Sequence, residues 1–321
     1  MLNQAPNPRI RHAIDAGVGF LLRSQDEDGY WRDYQLPPGR SEAWTTACVG
    51  CALIATSGYA GLEDAGLHRA TAALLAARRP EGWGYNRNTA CDADTTSWAL
   101  RLLGQLGALD GISAQTTLGR YVTPTHHVRT FASVDRFGSW GLEHDEVAPV
   151  AGLALLAAHE HRLVEGIRAA IIGSWAQGRW RPFWWYGRAY VCAQSLEFLS
   201  GSGGIPDDIA RDERGSLAES TTPRSAFEAA QQLTAAVYLV AMCDMWRLGQ
   251  SVLDSQCEDG GWPMSPVLLV PDQRDPSRVS VHSDDRRLLT TAASLAALTR
   301  WAECRMSADP KLDGLSHRTL L

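Results

Sequence analysis

Two aspartates separated by one residue, Asp92 and Asp94, stand at the head of an apolar run in the string CDADTTSWAL. Carboxyl groups this close cannot both ionise cheaply in apolar surroundings, so one of them keeps its proton. A carboxylic acid held neutral in a dry cavity can protonate a base as weak as an alkene. The cation that results needs aromatic faces around it. The chain offers Trp44, Trp98, Trp184, Trp185, Tyr186, Tyr190, Phe227 and Tyr238 at positions that should face inward. Helical proteins also use such rings as plain core, and about half of this set is expected to line a cavity. The bland reading of Asp92 is a helix N-cap, which contributes about 1 kcal/mol.

The elements that carry these residues recur. The chain has 12 tryptophans against six phenylalanines. Trp31, Trp83, Trp140, Trp180 and Trp262 each follow a glycine-rich turn, the mark of an internal repeat. In five segments a helix-like amphipathic run ends, a turn delivers the tryptophan, and an Ala/Leu-rich run follows. SAFEAAQQLTAAVYLVAM adds a sixth apolar run, preceded by a polar stretch that reads as a short helix and loop. Six pairs over 321 residues give about 53 residues each, the size of a helical hairpin with its loop. The second runs are nearly free of charge and should form an inner ring, with the charged first runs outside. The expected fold is all-α, an (α/α)6 barrel of six hairpins, with an open solenoid as the alternative. One domain spans 1–321, with a core from about 9 to 302 and loose ends before residue 9 and after Ser307. The loop 267–282 either folds over a cavity mouth or is a simple insertion.

Composition excludes other classes. A net charge of −6 argues against a nucleic-acid binder. No signal pattern opens the chain and no apolar stretch is long enough for a membrane span, so a cytoplasmic protein is expected. Seven scattered cysteines read as buried thiols of a reducing compartment. Cys48 and Cys51 form a CxxC inside a helical run with no second ligand pair, which makes zinc a poor reading.

With these motifs together, the chain resembles the class II terpene cyclases, the group of squalene–hopene and prenyl-diphosphate cyclases. FLLRSQDEDGYW and VLDSQCEDGGWP look like the family's QW repeats, and PEGWGYN and DRFGSWG like degenerate copies. Asp92-Ala-Asp94-Thr95-Thr96 is similar to the family's DxDD acid motif in its DxDTT form. The resemblance implies that Asp94 is the general acid, Asp92 its partner carboxylate, and Thr95 the replacement for the third acid. It covers nearly the whole chain. Hopene-type members place a histidine against the acid; here that place reads as Pro149, with His144 or a water as the substitute. The resemblance implies a cyclase with only the domain that bears the acid, as in monodomain meroterpenoid cyclases.

The implied reaction is protonation of a folded isoprenoid, ring closure through tertiary cations, and loss of a proton. The first expectation for the substrate is farnesyl or geranylgeranyl diphosphate with the diphosphate retained. The alternative is a prenylated aromatic acid. Trp44, Trp98, His144, Trp184, Trp185, Tyr186, Arg188, Tyr190 and Phe227 are the expected substrate contacts. Arg120, Arg129, Arg136, Arg179, Arg181 and Arg188 are the cations available for an anionic head group; solvated surface arginines are the competing reading. No cofactor is needed for the chemistry, no metal ligands are assigned, and Mg2+ is an option beside a diphosphate. Isoprenoid small molecules are the expected partners, and a homo-oligomer is compatible with the sequence. A protein prenyltransferase subunit would need an Asp/Cys/His zinc set that the spacing does not supply. A glycosidase would set its carboxylates roughly 5 Å or more apart across a sugar. A non-catalytic helical-repeat binding protein remains as the alternative from another class; it would have no reason to bury the aspartate pair.

Overall fold

The computed structural model describes residues 7–57, 65–220 and 222–307, so most of the expected loose ends lies outside it. In chain order the helices are α1 (Pro8–Arg23), α2 (Ala43–Ala55), α3 (Ala65–Ala77), α4 (Ala93–Gln105), α5 (Ala114–Leu118), α6 (Val134–Phe137) and α7 (Val147–Ala157). They continue with α8 (Val164–Ala176), α9 (Ala189–Gly201), α10 (Asp207–Ala218), α11 (Ala226–Tyr238), α12 (Met242–Asp254) and α13 (Leu288–Ser307). Two short hairpins are added, β1 (Gln35–Leu36) with β2 (Gly39–Arg40), and β3 (Pro266–Pro271) with β4 (Val279–Ser283).

The helices α2, α4, α7, α9, α11 and α13 each pack on the next, and α13 packs back on α2, which closes the ring. Their sequences explain the placement. In α2 and α7 nearly every residue up to the last turn is buried, as expected for helices covered on both sides. Helix α12 instead buries only the stripe Met245, Leu248, Gly249, Val252 and Leu253 and lies outside.

Four tryptophans brace this ring by one device. The indole N–H of Trp31, Trp83, Trp180 and Trp262 donates to the carbonyl of Leu21, Leu74, Ile171 and Val252 respectively, at the end of the preceding outer helix. Gln25 and Gln256 add a second tie: their amides donate to Gly66 of α3 and Ala13 of α1 as well as to their own turns. Gly29 and Gly260 hold φ of +88° and +91° in those turns, where a Cβ would meet a backbone carbonyl of the adjacent helix at 2.6 and 2.3 Å. The backbone N–H of Trp31, Trp83 and Trp262 then donates to Thr46, Thr96 and Thr291 on the following inner helix. Threonine pairs therefore recur at the same place in α2, α4 and α13, so Thr96 belongs to the repeat's bracing and not to the acid alone.

Three segments depart from the expected hairpins. The third outer run, 118–141, forms no long outer helix: α5 ends where it begins, Thr123-Pro124 and a left-handed His126 (φ 63°) turn the chain into extended bridges, and only α6 and a 3-10 turn over Gly138–Gly141 are helical. The polar stretch before α11 contains a full 12-residue helix, α10, which opens with Asp207 and Asp208 at its positive end. The loop 267–282 forms most of the hairpin β3–β4. That hairpin pairs with the 184–186 segment, where Leu269 N donates to the Trp184 carbonyl and Tyr186 N to that of Val267, each at 2.8 Å.

Candidate active site

The inner helices present comparable positions at one end of the ring. Glu42, Asp92, Glu146, Arg188 and Ser225 are the N-cap residues of α2, α4, α7, α9 and α11. Two residues further on come Trp44, Asp94, Ala148, Tyr190 and Phe227, and the second residue of α13 is Leu289. Trp44, Tyr190, Phe227 and Leu289 face the barrel interior. Asp94 is thus the acidic member of an otherwise apolar and aromatic tier.

Above this tier lies a cavity of about 370 Å³ whose wall is mostly apolar. Trp44, Tyr85, Phe131, Phe137, Trp140, Trp184 and Trp185 supply its rings, and Leu268 and Val270 of β3 cover it. The hairpin is held there by the Trp140 indole, which donates to the Pro271 carbonyl at 2.7 Å. The loop 267–282 is therefore a cover. Its charged wall groups, among the described residues, are carboxyls: Asp92, Asp94 and Glu146.

Their environments separate the three acids. Asp92 accepts a hydrogen bond from the Thr95 N–H at 2.7 Å. Burial raises it to about 6, with the Thr95 N–H pulling the other way. Glu146 accepts the N–H groups of Phe183 and Trp184 on Oε1, at 2.8 and 2.7 Å, while its Oε2 is buried without a partner. Burial pushes it up to about 7 against those two donors. Asp94 Oδ1 is buried with no hydrogen-bond partner. Burial, then the charges of Asp92 and Glu146, carry it well above the carboxylate range; the nearby Trp44 indole opposes this without making a hydrogen bond. Of the three acids Asp94 alone accepts no backbone N–H among the described residues, so it is the one whose neutral form is favoured. Neighbouring carboxyls driven apart in this way are the arrangement that makes one an acid and another an anion.

Beneath the cavity the rings form a floor. Trp185 stacks on Tyr190 and Phe227 at 4.0 and 5.1 Å, and Trp44 lies 6.0 Å from it. The Trp98 indole faces the Tyr190 hydroxyl at 3.2 Å. Below is a second, smaller chamber of about 80 Å³ with a buried charge cluster in its wall. There Arg101 and Arg300 converge on one oxygen of Glu197 at 2.6 and 2.7 Å. Despite burial, the two guanidinium groups hold Glu197 down to about 2. The aromatic layer keeps this charge cluster away from the acid.

Of the expected contacts, Trp44, Trp184 and Trp185 line the acid cavity, as do Asp92, Asp94 and Thr95. Trp98, Tyr190 and Phe227 form the floor and line the lower chamber. Three residues lie elsewhere. His144 bonds Thr130 at 2.7 Å and stacks on Phe183 at 3.9 Å, and burial lowers it to about 4, so it is neutral and turned from the acid. Tyr186 is half exposed beneath the Arg224 guanidinium. Arg188 pairs with Glu213 at 3.0 Å. Glu146 is the contact that sequence reasoning passed over in favour of His144. Its signal was its place as the N-cap of the helix after α4.

Neither a family model nor a curated relative matches the chain. Solved structures do. The type II terpene cyclase MstE from Scytonema is 25% identical, with a TM-score of 0.81 over 92% of this chain and 98% of that one. The chain is built as a class II terpene cyclase. It is an enzyme of carbocation cyclisation. A protein from Actinoplanes is also 25% identical, with a TM-score of 0.72 over 91% of this chain and 99% of that one. An ent-copalyl diphosphate synthase from Streptomyces platensis shares the fold at 16% identity and a TM-score of 0.60, over 80% of this chain and 50% of that one. No described helix of the cyclase is long and apolar enough to cross a membrane. No group of three metal-binding side chains occurs among its described residues.

Proposed function

We propose that this cyclase folds a prenyl chain attached to an aromatic acid into its covered cavity and protonates the terminal alkene from Asp94. The single observation that carries the reading is the wall of the cavity. It offers rings and carboxyls, and none of its described lining residues is a cation. A prenyl chain suits such a space, whereas a diphosphate inside it would meet three acids unopposed. The head group belongs at the rim. Arg136, whose guanidinium lies 5.1 Å over the ring of the cavity residue Phe137, makes no ion pair among the described residues, while Arg40 and Arg87 are tied to Asp285 and Glu42. The Arg136 guanidinium fork can take a carboxylate through two hydrogen bonds.

The comparisons favour the same choice over the prenyl diphosphate first expected. A variant of MstE was solved with geranylgeranyl dihydroxybenzoate, described as its substrate, at 23% identity to this chain. Ring closure is aided by Trp44, Trp184, Trp185 and Trp140, whose faces stabilise positive charge as it moves. The floor excludes water, which would otherwise quench the cation as an alcohol. The test is incubation with geranylgeranyl dihydroxybenzoate and, separately, with farnesyl and geranylgeranyl diphosphates, read by mass spectrometry. Cyclised acid supports the reading; cyclised diphosphate with the acid untouched overturns it.

A further inference from the structure

The proposed reaction ends as it begins, with a proton transfer, and the donor cannot serve as the only acceptor. The cation travels along the chain as rings close, so the proton is lost at a carbon removed from the one protonated. The cavity contains a second carboxyl group suited to receive it. Glu146 stands at the N-cap position of α7, the inner helix beside α4, and lines the same cavity as Asp94. It is 1% exposed. Its Oε1 is fixed by the two backbone N–H groups of Phe183 and Trp184, and its Oε2 is buried with no partner. A buried carboxylate oxygen without a donor is costly unless it serves a purpose. Asp92 is a poorer acceptor, because it lies on the acid's own helix and is tied to the Thr95 N–H.

Resting on the cyclase reading above, we propose that Glu146 is the base that ends the cascade, through Oε2. The Asp94 O–H bond breaks as a C–H bond forms at the terminal alkene. Each π pair then closes a C–C bond. Finally a C–H bond next to the last cation breaks, its electrons form the product alkene, and its proton goes to Glu146. The substrate is isomerised, and the enzyme's proton has moved from Asp94 to Glu146. Return to the Asp94 carboxylate, the better proton holder, restores the resting state. The ionisable groups around Glu146 are Asp94 of α4, Tyr190 of α9 and the adjacent Asp145. Tyr190 stays neutral because burial holds its hydroxyl well above its usual range. With Glu146 near 7, the base form dominates in mildly alkaline solution and fades below neutrality.

The experiment compares wild type, Glu146→Gln and Glu146→Asp with geranylgeranyl dihydroxybenzoate, reading both substrate consumption and product identity between pH 6 and pH 9. The glutamine keeps a carbonyl oxygen for the two backbone donors, and thermal melting confirms folding. Glu146→Gln is expected to go on consuming substrate while the share of the wild-type product falls at least about tenfold, replaced by other alkene isomers or by alcohols. Glu146→Asp is expected to restore part of that product. The wild-type product ratio should shift as pH falls through about 7, and the glutamine variant's should not. A uniformly slower Gln variant with an unchanged product, or a folded variant with no turnover, would overturn the assignment in favour of a positioning role. A wild type that cyclises only the diphosphates would retire the prenylated aromatic acid reading, and the same comparison of variants on that diphosphate decides the role of Glu146 separately.

Discussion

Replacing Asp92 by Asn removes a charge and leaves the cap, since asparagine accepts the Thr95 N–H about as well. In the folded protein burial raises Asp92 from 3.8 to about 6. At about 1.4 kcal/mol per pH unit, that rise is worth about 3 kcal/mol. The sign follows from linkage: a carboxyl that holds its proton more tightly when folded destabilises the fold once both states are ionised. The penalty is absent below about pH 4, grows between 4 and 6, and is complete above about 6. Urea unfolding of both proteins at pH 4, 5, 6 and 8 isolates it, because every other group is shared. Asp92→Asn should match wild type at pH 4 and exceed it by up to about 3 kcal/mol at pH 8. The alkaline limb of activity should also move to lower pH, since the charge that helps hold the Asp94 proton is gone. A difference in stability that is constant with pH, or of opposite sign, would refute the assignment of a buried anion at Asp92.

Two further outcomes are expected. Glu197→Gln leaves Arg101 and Arg300 facing each other beneath the floor and should cost about 3–5 kcal/mol by urea unfolding, with rescue when Arg101 is also replaced by Met. Arg136→Ala should raise KM for a prenylated aromatic acid about tenfold while kcat changes little, because it touches the head group and not the reacting carbons.

The inner ring was legible because six Ala/Leu-rich runs could be buried nowhere else, and the repeated tryptophans marked the turns between hairpins. The buried aspartate pair was legible because it heads the second of those inner runs. What the sequence did not encode locally was direction. His144 and Glu146 stand two residues apart at the start of α7; one turns to Thr130 and Phe183, the other into the cavity, and only the neighbouring segment 183–184 decides which. Tyr190 and Phe227 share the helical position of Asp94 but become floor, because Trp185 stacks over both. The 267–282 segment offered no helical period, and its pairing partner, the 184–186 segment, lies more than 80 residues earlier. The third outer run was misread because its apolar residues fit a helix, while Thr123-Pro124 and His126 break it.

A single turnover in D2O shows whether Asp94 starts the reaction by protonating an alkene. One deuterium is expected on the former alkene CH carbon of the terminal isoprene unit, next to the carbon that becomes the tertiary cation, with the head group intact, and no product is expected from Asp94→Asn. A cyclised product without deuterium at that carbon, or turnover retained by Asp94→Asn, would contradict that role.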